Sequence, residues 1–98
     1  MIKHIVMFYF TDKVTEENQD EIKQMIAESV NKIKAADLDG VIKLEPVFNI
    51  VKGMPDVGLY GEFESKEALE AYQIHPEHVR HKDLTKDYCR DRVVFEWE

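Results

Sequence analysis

The sequence contains a single cysteine, Cys89, which excludes an internal disulfide and therefore a disulfide-stabilised secreted scaffold. It also lacks an apolar run of the roughly 20 residues that a membrane-spanning helix needs. Basic residues are in the minority, since 13 Lys and Arg stand against 20 Asp and Glu and give a formal net charge of −7. Because neutralising phosphates requires clustered Lys and Arg, we expect neither a nucleic acid nor an acidic membrane as a partner.

The remaining composition is that of an ordinary globular protein. The chain has 98 residues, of which 44% are hydrophobic and 34% charged, and we predict one domain over residues 1–98. A domain of this size buries only a modest share of its surface, so association with a second copy would stabilise it. No basic and apolar leader precedes the first predicted strand, and we therefore expect a cytoplasmic protein.

Patterns typical of strands and helices alternate along the chain in the order βαββαβ. We predict strands over residues 2–10, 41–51, 57–63 and 92–97, a helix starting at an N-cap on Thr15, a helix from Ser65 to about Ile74, and a short helix from Pro76. Pro46 has no N–H to donate to a neighbouring strand, so the predicted second strand should lie at a sheet edge. This order predicts an α+β, ferredoxin-like domain.

The first predicted strand is apolar on both of its faces. With a period of two, one face carries His4, Val6, Phe8 and Phe10 and the other carries Ile5, Met7 and Tyr9. A sheet with one face in water would show polar residues at alternate positions, so both faces must be covered. The helices can cover one face, and we predict that a second copy of the chain covers the other, in a homodimer through the sheet.

Three histidines, His75, His78 and His81, lie close together around Pro76. Since Pro76 disfavours helical geometry at the residue before it, one helix should end before His75 and another should begin at Pro76. His75 is then suited to a role as a helix cap. On the second helix His78, His81 and Tyr88 fall within a sector of roughly 80° and face the same space.

Three segments together resemble the stress-responsive A/B barrel (Dabb) family. They are the Lys-His opening in residues 1–8, residues 58–72, and the His-Pro-x-His motif of residues 75–79. The resemblance covers essentially the whole chain. It implies a ferredoxin-like subunit whose sheet pairs with the sheet of a second copy to form a dimeric α/β barrel.

The resemblance also implies candidate catalytic residues. A plant member of the family closes a polyketide chain by an aldol condensation, and its two catalytic histidines and a pocket tyrosine correspond to His4, His78 and Tyr72. An imidazole with an ordinary pKa of about 6.5 exchanges protons readily near pH 7. His78 would remove a proton next to a carbonyl while His4 or Tyr72 supports the oxyanion, which is lyase-type or cyclase-type chemistry that needs no cofactor. We predict that the substrate contacts Val6, Phe8, Ile22, Ile26, Leu59, His81 and Tyr88.

The implied pocket differs from that of the plant enzyme. Large aromatic residues on the enzyme's first helix correspond to Ile22, Lys23 and Ile26, a tryptophan corresponds to Cys89, and a pocket phenylalanine corresponds to His81. We therefore expect a different substrate, a small ketone or polyketide-like molecule.

Other functions stay open at this stage. One alternative is a non-catalytic stress-response homodimer whose histidines are only packed. Another is a barrel that binds or degrades haem, as some members of the wider superfamily do. We predict no metal site, because His75, His78 and His81 drift around the helix axis and no carboxylate has ligand spacing beside them. Cys89 lacks the motif context of a nucleophile, and we expect it to be a small apolar residue.

Overall fold

The computed structural model describes residues 1–52 and 55–98. The elements in chain order are β1 (Ile2–Phe10), α1 (Gln19–Ala35), β2 (Val41–Phe48), β3 (Val57–Phe63), α2 (Lys66–Ile74), α3 (Pro76–Thr85) and β4 (Cys89–Trp97). The strands form one antiparallel sheet in the order β2-β3-β1-β4. The predicted α+β, ferredoxin-like order, with an extra helix before the last strand, is confirmed.

β1 lies inside the sheet between β3 and β4, and its alternate residues face opposite sides. His4 and Val6 are buried on the side that the helices cover. Ile5 lies opposite both Tyr60 and Phe95 on the other side. Phe95 is 62% exposed there, because the described helices leave that side uncovered within a single chain.

The buried side chains between the sheet and the helices form two clusters. The larger cluster contains Val6, Val30, Ile33, Leu44, Leu59, Phe63, Leu69 and Tyr72, and the smaller one contains Ile22, Ile26 and Val57. Gly61 makes room for the larger cluster, because a Cβ atom at this position would lie 2.6 Å from Cε2 of the fully buried Phe63. The Phe63 ring therefore fills the space that a side chain at Gly61 would occupy.

Two predicted strand limits were wrong. β2 ends at Phe48 rather than at residue 51, because Asn49 turns the chain through bonds from its Nδ2 to the Pro55 carbonyl and from the Val51 N–H to its Oδ1. β4 begins at Cys89 rather than at residue 92, because an irregularity in its pairing with β1 extends the strand. Asp91 has a φ of 55° within that irregularity, a conformation that Asp tolerates better than most residues.

The predicted N-cap of the first helix was also misplaced. α1 begins at Gln19 with Asn18 at its N-cap. Thr15 instead exchanges bonds with Asn18 in the preceding turn, since each side chain accepts the other residue's backbone N–H at 3.3 and 2.7 Å. The predicted edge position of the strand that contains Pro46 is confirmed, because β2 stands first in the strand order and pairs with β3 on its inner side.

The interruption between α2 and α3 gives the histidine-bearing helix its direction. Ser65 caps α2 by accepting the Ala68 N–H at 3.2 Å, as predicted. His75 is extended, with a ψ of 139°, and its Nδ1 atom accepts the Glu77 N–H at 3.1 Å. The predicted capping role of His75 is thus confirmed. None of the described helices is both long and apolar enough to cross a membrane.

Candidate functional site

A row of aromatic rings connects β1 to α3. The ring centroids are 6.4 Å apart between His4 and Phe63, 5.1 Å apart between Phe63 and Tyr72, and 4.5 Å apart between Tyr72 and His78. Strands β1 and β3 supply the first two rings and helices α2 and α3 the other two. The fold therefore brings the three predicted catalytic residues into one neighbourhood, although His4 and His78 are far apart in the sequence.

His78 is held by the end of the preceding helix. Its Nδ1 atom lies 3.0 Å from the carbonyl oxygen of Gln73, so the Nδ1–H donates to that carbonyl. Burial lowers the pKa of His78, and the positive charges of Lys82 and Arg92 and the nearby His4 act in the same direction, against the opposing effect of the Gln73 bond. The ring is therefore neutral near pH 7, and its Nε2 atom carries a free lone pair.

His4 is held by a residue of the edge strand β4. It pairs across the strands with Glu96 of β4, and its Nδ1 atom lies 2.9 Å from Glu96 Oε1. An imidazole N–H that donates to a carboxylate fixes both the tautomer and the orientation of the ring. With Nδ1 of His4 bound to Glu96, its Nε2 atom is a second candidate for proton transfer beside Nε2 of His78. Glu96 thereby joins the candidate site.

Tyr72 stands between the two histidines as a buried phenol. Burial raises its pKa above the ordinary value, so the hydroxyl stays protonated at neutral pH. A phenol in this state is a hydrogen-bond donor and not a base. Its place in the ring row suits it to stabilising negative charge on an oxygen next to His78.

The predicted substrate-contacting residues lie in three places, which are the two buried clusters and the contact of His81 with α1. Val6 and Leu59 belong to the larger buried cluster with Tyr72. Ile22 and Ile26 belong to the smaller cluster, with Tyr88 packed against it, and Phe8 touches both clusters. In this structure each of these side chains is packed in or against one of the two buried clusters, and Phe8 packs against both.

His81, the remaining predicted substrate contact, is bound to helix α1. Its Nδ1 atom lies 2.7 Å from the Oγ atom of Ser29, which also accepts a bond from Arg80 Nη1 at 3.0 Å. Burial, with smaller contributions from His78 and Arg80, lowers the pKa of His81 to about 4. The ring is neutral at pH 7 and joins α3 to α1. The sequence analysis did not identify Ser29 or Arg80, since no local motif marks either residue.

Two surface clefts lie away from the histidines. One of about 380 Å³ runs between the end of α1 and β2, lined by Ile33, Lys34, Asp37, Leu38, Val41, Ile42, Lys43, Leu44 and Glu45. The other, of about 450 Å³, is lined by Phe10, Glu16, Gln19, Asp20, Lys23, Asn49, Ile50, Val51, Lys52 and Asp56. Neither cleft includes His4, Tyr72 or His78.

Cys89 packs against the smaller buried cluster. Burial, and secondarily the carboxylate of Asp56, raises the pKa of its thiol to about 11, so the residue is an uncharged thiol at pH 7. Within residues 1–52 and 55–98, no group of three or more His, Cys, Asp or Glu side chains is arranged to hold a metal ion.

The chain is similar to two curated plant proteins. It is 27% identical over 103 residues to olivetolic acid cyclase of Cannabis sativa, covering 98% of this chain and 94% of the cyclase. It is 32% identical over 102 residues to a stress-response A/B barrel domain-containing protein of Arabidopsis thaliana, covering 99% of this chain. The chain spans only 36% of the length of the Arabidopsis protein.

A crystal structure from Bacteroides fragilis has the same fold. That protein, described as dimeric, of unknown function and ferredoxin-like, is 26% identical and superposes with a TM-score of 0.85 over 99% of this chain and 94% of its own. The family model of the stress-responsive A/B barrel domain matches residues 2–98. This chain therefore belongs to the stress-responsive A/B barrel domain family.

Proposed function

We propose that this protein is a homodimer that binds a small ketone or polyketide-like molecule beside Tyr72 and His78 and moves protons on it without a cofactor. The observation that carries the proposal is the state of His78. Its ring is neutral, its Nδ1–H is held by the Gln73 carbonyl, and the phenol of Tyr72 lies against it. A neutral imidazole can act as a base, and the protonated phenol beside it can donate a hydrogen bond to an oxyanion.

The proposed reaction begins at a carbon next to a carbonyl group. Nε2 of His78 removes a proton from that carbon, and the electron pair moves onto the carbonyl oxygen, which the Tyr72 hydroxyl stabilises. The resulting enolate attacks a second carbonyl of the same molecule and forms a carbon–carbon bond. The new alkoxide takes a proton back, from His78 or from His4.

The likeness to olivetolic acid cyclase supports this choice of chemistry over others. His4, Tyr72 and His78 stand at the positions that the resemblance assigns to that enzyme's catalytic histidines and pocket tyrosine. Aromatic residues of that enzyme correspond here to Ile22, Ile26 and His81. The His81 ring is hydrogen-bonded to Ser29. We therefore propose a substrate of a different shape.

The uncovered face of the sheet supports the homodimer. Phe95 and Trp97 of β4 are exposed beside Ile5 and Tyr60 in a single chain, and their rings lie 5.6 Å apart. A contiguous apolar patch of this kind on a sheet marks an interaction site. The similar protein from Bacteroides fragilis is described as dimeric.

A non-catalytic homodimer is the second candidate. One observation favours it, namely that neither of the two clefts described above is lined by His4, Tyr72 or His78. In this case the three residues would contribute only to packing, and the protein would act through its stability or through another partner.

The test is turnover of linear polyketide thioester analogues, measured by mass spectrometry of the cyclised products. Cyclisation by the wild type that His78→Asn abolishes and Val79→Ala preserves would support the enzyme, since Val79 neighbours His78 but is 45% exposed. Absence of cyclisation, together with the absence of any change in the imidazole NMR signals of His78 on addition of the analogues, would leave the non-catalytic homodimer.

A further inference from the structure

Helix α3 is attached to the rest of the protein by polar bonds. Its one buried side chain is that of His81, whereas its apolar residues Val79 and Leu84 are 45% and 40% exposed. A surface helix is ordinarily held by an apolar stripe that packs on the core. Since α3 lacks such a stripe, its position depends on the hydrogen bonds that its polar residues make.

Those bonds converge on one residue of α1. Ser29 is 2% exposed, and its Oγ atom lies 2.7 Å from His81 Nδ1 and 3.0 Å from Arg80 Nη1. Arg80 Nη2 also donates to the Ser29 carbonyl oxygen at 3.1 Å, and its Nε donates to Glu77 at 2.9 Å. The guanidinium therefore holds both the hydroxyl and the backbone of Ser29.

The Ser29 hydroxyl both accepts and donates a hydrogen bond. Arg80 carries only donors, so Ser29 Oγ accepts from it. The hydroxyl hydrogen is then free to donate to Nδ1 of the neutral His81 ring. A serine can accept and donate at the same time, whereas an alanine at this position would leave the Nδ1 atom of His81 and the Nη1 group of Arg80 without these bonds.

We infer that Ser29 is a positioning residue for His78. Ser29 holds Arg80 and His81 in the middle of α3, and the Gln73 carbonyl holds His78 itself at the start of the helix. With both attachments in place, the His78 ring is fixed against Tyr72. The catalytic importance of this position of His78 rests on the proposed function, but the position itself can be measured without any substrate.

The experiment compares Ser29→Ala with the wild type by NMR of protein with labelled histidines. The expected result is a rise in the His78 pKa toward its ordinary value of about 6.5, because a displaced α3 buries the ring less. Lys82 and Arg92, whose positive charges lower the pKa of His78, and the nearby His4 are unchanged in this variant, whereas the neighbouring His81 loses its bond to Ser29. Amide exchange in α3 should accelerate by roughly tenfold while exchange in the sheet stays as it is.

Ser65→Ala is the matched control. It also removes a serine hydroxyl that accepts a helix bond, but at the start of α2 and away from α3. It should leave the His78 titration at the wild-type position. Arg80→Leu, which removes two donors to Ser29 and keeps the Ser29–His81 bond, should shift His78 in the same direction as Ser29→Ala and replaces that variant if it fails to fold.

Unchanged titration of His78 in both Ser29→Ala and Arg80→Leu would overturn the inference. So would a loss of protection spread evenly over α1 and the sheet, since Ser29 would then stabilise the fold without positioning His78. Failure of the proposed function looks different, because wild-type protein would then give no turnover while the Ser29-dependent shift of His78 is still observed.

Discussion

Glu96 lies directly across the strands from His4, with 2.9 Å between Oε1 of its carboxylate and Nδ1 of the imidazole. The partner of His78 is a backbone carbonyl, that of Gln73. Each histidine thus has its Nδ1–H held and its Nε2 left for chemistry, but a charged partner holds one ring and an uncharged partner holds the other. This difference makes the contribution of each ring separately testable.

Replacement of the carboxylate tests the role of His4. Glu96→Gln should lower any cyclisation rate by at least about tenfold, because an amide holds the imidazole tautomer less firmly than a carboxylate does. The fold should be kept, since the Glu96 side chain is 43% exposed. Turnover assays with circular dichroism check this, and Glu98→Gln at the end of the chain is the matched control.

Removal of both imidazoles tests whether they are catalytic or structural. The double variant His4→Ala, His78→Ala should keep the wild-type circular dichroism and oligomeric state and lose turnover by roughly 100-fold or more. Size-exclusion chromatography with light scattering measures the oligomeric state. If the dimer collapsed in this variant, the histidines would be structural and the proposed enzyme would lose its base.

The stability of the protein should fall in mild acid because of His81. Its pKa is about 4 in the folded chain and about 6.5 when unfolded, so the unfolded state binds more protons between these values. The free energy of unfolding is then highest above pH 6.5 and decreases as the pH falls toward 4. At about 1.36 kcal/mol for each pH unit of difference, His81 accounts for roughly 3 kcal/mol.

Urea denaturation at a series of pH values measures this effect. His81→Phe has no proton to bind at this position, so its curve should be flatter than that of the wild type between pH 4 and 6.5. The lowered pKa of His78 acts in the same direction and should leave part of the slope in the variant. An equally steep curve for His81→Phe would contradict the prediction.

A charge on the uncovered face of the sheet tests the homodimer. Phe95→Lys should convert the dimer to a monomer, because the lysine would have to be buried without a partner in the interface. Ile74→Lys is the matched control, since Ile74 is 79% exposed on α2, in the helical layer on the other side of the sheet. Sedimentation velocity should show a monomer for the first variant and a dimer for the second.

An added methyl group at Gly61 tests the packing that supports the ring row. Gly61→Ala should destabilise the fold by about 1–3 kcal/mol, because its Cβ would lie 2.6 Å from the fully buried ring of Phe63. Phe63→Leu removes the clashing ring atoms, so Gly61→Ala should cost less in that background. Thermal unfolding of the two single variants and the double variant measures the difference.

Local patterns were sufficient to predict most of the fold. The period of two in residues 2–10 and 57–63 placed β1 and β3, and Pro46 placed β2 at an edge. The break at His75 and Pro76 followed from proline geometry alone. These features depend on neighbours in sequence, which explains why the sequence predicted them.

The partners in the candidate site were beyond the reach of local patterns. Glu96 meets His4 only through the register of β1 with β4, and Ser29 meets His81 only through the packing of α1 on α3. The early start of β4 depends on the left-handed conformation of Asp91, which an aspartate adopts without any marker in the sequence. Each of these contacts joins elements that are distant along the chain.

The edge position of Pro46 has a consequence for self-assembly beyond a dimer. An unpaired strand edge is a template on which further chains add as strands and grow into fibres. A strand docking on the outer side of β2 would find no N–H to accept from at Pro46, so the added ladder would lack a donor at that residue. Pro46 therefore disfavours the addition of a further strand along this edge of the sheet.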